Sequence, residues 1–196
     1  MQTQPSVPFQ AGTFIARRRQ DHGRQQGCTL IESLCGLVIM LVLLGGSWPT
    51  LKDLVARQRL LAQAAELETD LVLARTQAQV QRENLRFSVH QPPGGGSCYV
   101  IYSGPIGACR CAGNGQASCD AGAQVLRLAE PSLRAGISLA ALTRPLTFDA
   151  MMGTVTPTAT LRLTDRDGRS VHQVINLTGR VRTCTPDQPW GGMRRC

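Results

Sequence analysis

Histidine is scarce in this chain, and so is lysine. Three histidines, His22, His90 and His172, are scattered along 196 residues. None lies near Cys109-x-Cys111, the one cysteine spacing that suggests a metal. A zinc site needs several N or S ligands brought together, so the sequence offers no metal centre and implies no cofactor. Serines and histidines form no credible triad in their sequence context, and Asp165 and Asp167 flank a turn. No catalytic set emerges, which sets an enzyme aside. Lys52 is the single lysine in a total of 21 Lys and Arg. That bias alone is no argument for a polyanionic partner. No internal repeat is present.

Charge is also missing where it matters most. The apolar run 28–48 holds one formal charge, Glu32, and is about the ~20 residues that span a bilayer. Before it, Arg-rich polar sequence runs up to Gln25-Gln26-Gly27. A secretory signal is cut after its apolar run; here the candidate cleavage site lies before it. A cut after Gly27 removes a hydrophilic leader and keeps the apolar segment on the mature chain. A carboxylate inside such a segment needs a partner. Cleavage supplies one, the new α-amino group of Cys28. An anion in the first turn of a helix is also favoured by the helix dipole.

The order Gly27, Thr29, Leu30, Ile31, Glu32 resembles the prepilin peptidase site of type IV pilins and type II secretion pseudopilins. The resemblance implies that Gly27 ends the leader and that Cys28 becomes the N-methylated first residue. It implies that Glu32 guides the subunit into a filament, and that Pro49 kinks the helix. The chain departs from the family in carrying Cys28 where phenylalanine is usual. A lipoprotein reading of Gly27-Cys28 fits less well, because the apolar run should then precede the cysteine.

Net charge is +8. The leader holds Arg17, Arg18, Arg19 and Arg24 against Asp21, a net +3, which leaves +5 on the mature chain. From Thr160 onward, seven Arg and three Asp give +4, so most of the mature excess lies in the last fifth. Positive flanks stay cytoplasmic. The expected topology is a single pass through the inner membrane with the C-terminal head in the periplasm, and then a place in a pilus or pseudopilus. Cysteine usage agrees. Cys98, Cys109, Cys111, Cys119, Cys184 and Cys196 fall in the exported part, where they read as disulfides. Six cysteines allow fifteen pairings. The expected partition joins Cys184 to Cys196, closing a loop with Pro186 and Pro189. The other four pair among themselves, in an order left open.

The pattern predicts a leader over 1–27, an apolar helix over 28–48, an amphipathic helix over 49–84 and a β-rich head over 85–196. In the second helical part Leu60, Ala64, Leu67, Leu71, Ala74 and Ala78 alternate spacings of four and three, an apolar stripe. It needs a partner surface, and a sheet of the same chain is the expected one. Arg57, Arg59, Glu66, Asp70, Arg75 and Arg82 read as the solvated face. Expected strands are Leu85–His90, Tyr99–Ser103, Gln124–Ala129, Ile137–Leu142 and Leu146–Asp149. Thr158–Thr164 and Arg169–Leu177 form the clearest hairpin, with Leu161 and Leu163 on one arm's inner face and Val171, Ile175 and Leu177 on the other's. Residues 104–122 form a Gly/Cys-rich excursion, and 179–183 a short last strand or extended tail.

This spine and strand-rich head resemble the GspH/FimT subgroup of minor pilins and pseudopilins, as does Leu73-Ala74-Arg75 within the Ala-rich helix. The resemblance implies an α+β, pilin-like fold, a long N-terminal helix packed on an antiparallel sheet. It implies prepilin peptidase and other pilins or pseudopilins as partners. Gly179-Arg180-x-Arg182 resembles the Gly-Arg-x-Arg signature of FimT-type minor pilins, associated with DNA binding in natural transformation. In an extended chain Arg180 and Arg182 share a face about 6.5–7 Å apart, comparable to neighbouring phosphates, and each guanidinium can fork onto phosphate oxygens. Gly179 is expected to allow close backbone approach. Arg194 and Arg195 join if the Cys184–Cys196 bridge folds the tail back. Such binding to double-stranded DNA is electrostatic and indifferent to sequence. The competing readings are two arginines that only protect an edge strand, and a GspH-type pseudopilin of type II secretion without DNA binding.

Overall fold

A computed structural model describes residues 29–92, 96–112, 114–131, 136–141, 144–187 and 189–196, with the side chains of 44–49 excepted. Gly27 and Cys28 lie outside the described residues. The fold is α+β, one helix followed by antiparallel strands. Cα packing separates a unit that ends at Gly46 from a unit spanning Ser47–Cys196.

Helix α1 spans Leu30–Gln81. It starts on Thr29, whose carbonyl accepts from the N–H groups of Glu32 and Ser33 at 3.0 and 3.2 Å. Thr29-x-x-Glu32 is the order of a capping box. In its first part Leu30, Ile31, Leu34, Leu37, Val38 and Leu41 are all exposed. Among the described residues no helix is long and apolar enough to cross a membrane.

The helix stops at Gln81, earlier than the expected Asn84. Arg82 adopts φ 54°, and the Glu83 N–H reaches back to the Ala78 carbonyl at 3.2 Å. That is a Schellman ending with arginine in the left-handed position usually given to glycine.

Two main sheets follow. The first has order β5-β2-β1-β7-β8, built from β1 Leu85–His90, β2 Cys98–Ser103, β5 Gln124–Ala129, β7 Leu146–Phe148 and β8 Val155–Thr156. The second has order β11-β10-β9-β6, from β6 Ser138–Ala141, β9 Ala159–Thr164, β10 Ser170–Ile175 and β11 Val181–Cys184. A small ribbon pairs β3 Cys109–Cys111 with β4 Ala117–Cys119. All pairings between these strands are antiparallel.

The six stripe residues Leu60, Ala64, Leu67, Leu71, Ala74 and Ala78 are all buried. They join one core with residues of both sheets, among them Phe87, Tyr99, Ile101, Leu139, Phe148, Leu161, Leu163, Val171 and Ile175. At Ala64, Gln173 of β10 donates from Nε2 to the helix carbonyl. Leu177 departs from the expected inner face: it is exposed, because β10 ends at Ile175 and the chain turns at Asn176.

Asp70 is the second departure. It is buried rather than solvated. Its Oδ2 accepts from the Tyr99 hydroxyl at 2.6 Å and from Arg127 Nε at 2.9 Å. Arg127 also reaches Glu66 at 3.0 Å. Helix and five-stranded sheet are therefore joined by a shared charge as well as by the apolar stripe. Burial, then the Asp70 hydrogen bond and charge, pushes the Tyr99 hydroxyl far above the ordinary tyrosine range.

Disulfides join Cys98 to Cys111, Cys109 to Cys119 and Cys184 to Cys196. The expected partition holds, and the order left open is now given. The first two bridges pin the β3–β4 ribbon, where the sequence reads only as an excursion.

Candidate functional site

The surface of interest grows from β11, the edge strand of the four-stranded sheet. Its register sets which way each side chain points. Val181 lies opposite Ile175, Arg182 opposite Val174, Thr183 opposite Gln173 and Cys184 opposite His172. Val181 and Thr183 share the inner face with buried Gln173 and Ile175, and Thr183 Oγ1 donates to Glu68 of α1 at 3.1 Å. Arg182 falls on the outer face and is exposed. Arg180, two residues earlier, is exposed as well.

Gly179 has a part that the sequence does not reveal. It is buried at φ 74°. A Cβ there would lie 2.7 Å from Arg75 Cδ and 3.2 Å from Val155 Cγ2. The glycine faces the helix, not a ligand, so its missing side chain makes room for Arg75. That arginine continues to the carbonyl of Gly153, donating from Nε at 2.8 Å. Asn176 completes the turn. Its side-chain oxygen accepts from the Arg180 N–H at 2.8 Å, and its carbonyl accepts from the Gly179 N–H at 2.9 Å. Arg75, read above as solvated, supports the loop from which Arg180 projects.

The tail folds back as expected. Thr185, next after β11, pairs with Arg195 in a parallel bridge. The Thr185 N–H donates to the Arg194 carbonyl and the Cys196 N–H to the Thr185 carbonyl, both at 3.0 Å. The Cys184–Cys196 disulfide closes this loop. Arg194 and Arg195 are both exposed beside the end of β11. Among the described residues, none of Arg180, Arg182, Arg194 and Arg195 forms an ion pair, whereas Arg127 and Arg169 are held by two and three carboxylates.

His172 lies beside Cys184 across the sheet and is buried. Burial, then the Arg162 charge, lowers its pKa below the ordinary histidine value, with Asp187 opposing. Among the described residues no group of three or more His, Cys, Asp or Glu is placed to hold a metal ion. Glu32 stands in the first turn of α1, in the unit that ends at Gly46. Gly27 and Cys28 fall outside the described residues.

No curated protein and no solved structure matches the chain. The sequence profile described as "Type II transport protein GspH" matches residues 63–179, more than half of the chain. The match covers the stripe from Ala64 to Ala78 and the strands up to the turn at Gly179, and ends one residue before Arg180. On that match the chain belongs to the GspH family of pilin-like and pseudopilin subunits.

Proposed function

We propose that this subunit is a minor pilin of a type IV pilus whose C-terminal arginines bind double-stranded DNA without sequence preference. The supporting observation is the set of exposed arginines at one sheet edge: Arg182 on β11 and Arg180 on the turn just before it, with Arg194 and Arg195 brought beside the strand by the bridged tail. Among the described residues none of these four guanidiniums pairs with a carboxylate, which leaves their donors for phosphate oxygens. Gly179 contributes by shaping the turn against Arg75 rather than by meeting the ligand. Uptake of DNA during natural transformation is the process such binding serves.

In this reading residues 1–27 are a leader removed by prepilin peptidase after Gly27, and Cys28 is the N-methylated first residue. Residues 28–48 lie in the inner membrane until assembly, with the head in the periplasm. The exposed apolar side chains between Leu30 and Leu43 then face lipid or neighbouring helices, and Glu32 pairs with an α-amino group in the filament.

The second reading is a pseudopilin of type II secretion, a structural subunit without DNA binding. The family profile carries that description and stops before Arg180, so the arginine pair separates the two. The experiment is a gel shift of the full chain in detergent with duplex DNA. Wild type is expected to bind in the ~10⁻⁴–10⁻⁶ M range of non-specific contacts, and Arg180→Gln with Arg182→Gln to remove most of it. Equal binding by the double variant would favour the secretion subunit.

A further inference from the structure

The outer face of the four-stranded sheet carries basic charge beyond its edge strand. Arg162, on β9, lies opposite His172 on β10, which lies opposite Cys184 on β11. Directly opposed residues share a face, so Arg162 is on the same face as Arg182. Helix α1 covers the other face, through Leu161 and Leu163. Arg162 is exposed and forms no ion pair among the described residues.

Arg162 is also held in place. Its Nε donates to His172 Nε2 at 3.0 Å. A ring nitrogen that accepts this bond belongs to a neutral imidazole. The bond uses one of the five guanidinium N–H groups and leaves both terminal NH2 groups open, the pair that forks onto phosphate oxygens. Buried His172 is a fixed anchor for it. The charged groups facing that ring are Arg162 and, from the C-terminal loop, Asp187. Two interstrand spacings separate β9 from β11, about 10 Å. The sheet therefore presents two arginines, Arg182 on β11 and Arg162 on β9, set apart on a single face.

We propose that Arg162 is a further phosphate contact for nucleic acid, with His172 as its positioning residue. The basic surface then runs from β11 across the sheet to β9. This rests on the DNA-binding reading above and adds to it a site that the Gly-Arg-x-Arg stretch does not contain.

The test measures binding of the full chain in detergent to a fluorescent duplex of mixed sequence by anisotropy, at ~50 mM salt. Arg162→Gln is expected to weaken binding roughly fivefold, and Arg162→Lys, which keeps the charge, by less. His172→Phe is expected to reproduce part of the loss and His172→Gln, whose side-chain oxygen can accept from Arg162, to restore it. An unchanged thermal midpoint for Arg162→Gln separates contact from folding. If Arg162→Gln binds as wild type while Arg180→Gln with Arg182→Gln does not, the contact on β9 is overturned and the edge site stands. If neither weakens binding, the DNA reading itself falls. A His172→Phe variant that binds as tightly as wild type overturns the positioning role.

Discussion

Gly179 and Arg75 show how one residue's chemistry can belong to another's site. Gly179 is needed because its φ of 74° and the Arg75 side chain together leave no place for a Cβ. Gly179→Ala is expected to cost about 1–3 kcal/mol and to shift the turn that carries Arg180. Arg75→Ala removes the hydrogen bond to Gly153 and is expected to cost about 1–2 kcal/mol. Urea unfolding of the two variants measures both losses. Tyr99→Phe tests the buried clamp in the same way: Asp70 keeps Arg127 but loses its hydroxyl donor, an expected loss of about 1–2 kcal/mol. The histidines give the pH dependence. Burial, then a neighbouring arginine, lowers the pKa of both His90 and His172 in the folded chain. The unfolded chain therefore binds more protons around and below pH ~6.5. The stability that these groups contribute is present above that pH and is lost as pH falls through their folded pKa values. A thermal midpoint that falls between pH 7.5 and pH 5.5, and falls less in His172→Gln, is the expected result.

At the scale of elements, the apolar stripe was the most legible feature. Its alternating spacings place six side chains on one helical face, and all six are buried. Leu67→Ala is expected to destabilise by about 2–5 kcal/mol, read as a lower urea midpoint. The β9–β10 hairpin was legible for the same reason: Leu161, Leu163 and Val171 keep a period of two. Asp70 was misread, although it sits three residues after Leu67 and four before Ala74, on the stripe's own side. Periodicity gives the direction of a side chain, but Tyr99 and Arg127 come from strands far downstream. The β3–β4 ribbon was invisible because Gly/Cys-rich sequence has no alternation; two disulfides hold it instead. In the site, the exposure of Arg182 followed from strand alternation, whereas Arg180 is exposed on the turn before β11. The parts of Arg75 and Arg162 did not follow from alternation, since one needs the packing of turn on helix and the other the register of three strands. Cys184→Ser with Cys196→Ser tests the tail. It is expected to cost about 2–4 kcal/mol and to weaken DNA binding by freeing Arg194 and Arg195 from β11.

For the whole molecule, the proposed functions divide between two units. The unit ending at Gly46 holds Glu32 and exposed apolar side chains; the head holds the arginines. Glu32→Val is expected to insert into the membrane normally, since removing a charge favours lipid, and to be depleted from sheared filaments. Normal recovery of that variant would contradict the assembly role. Replacing Gly27 with a bulky residue is expected to leave residues 1–27 on the chain, visible by intact mass. The account as a whole turns on the head's charged surface. Its most direct test is the slope of log affinity against log salt for the full chain on duplex DNA, compared with a variant carrying Arg180→Gln, Arg182→Gln, Arg194→Gln and Arg195→Gln. Each phosphate contact contributes about −0.9 to that slope. The account predicts a steep negative slope for wild type and a much flatter one, with weak binding, for the variant. Equal slopes and equal affinities would contradict it.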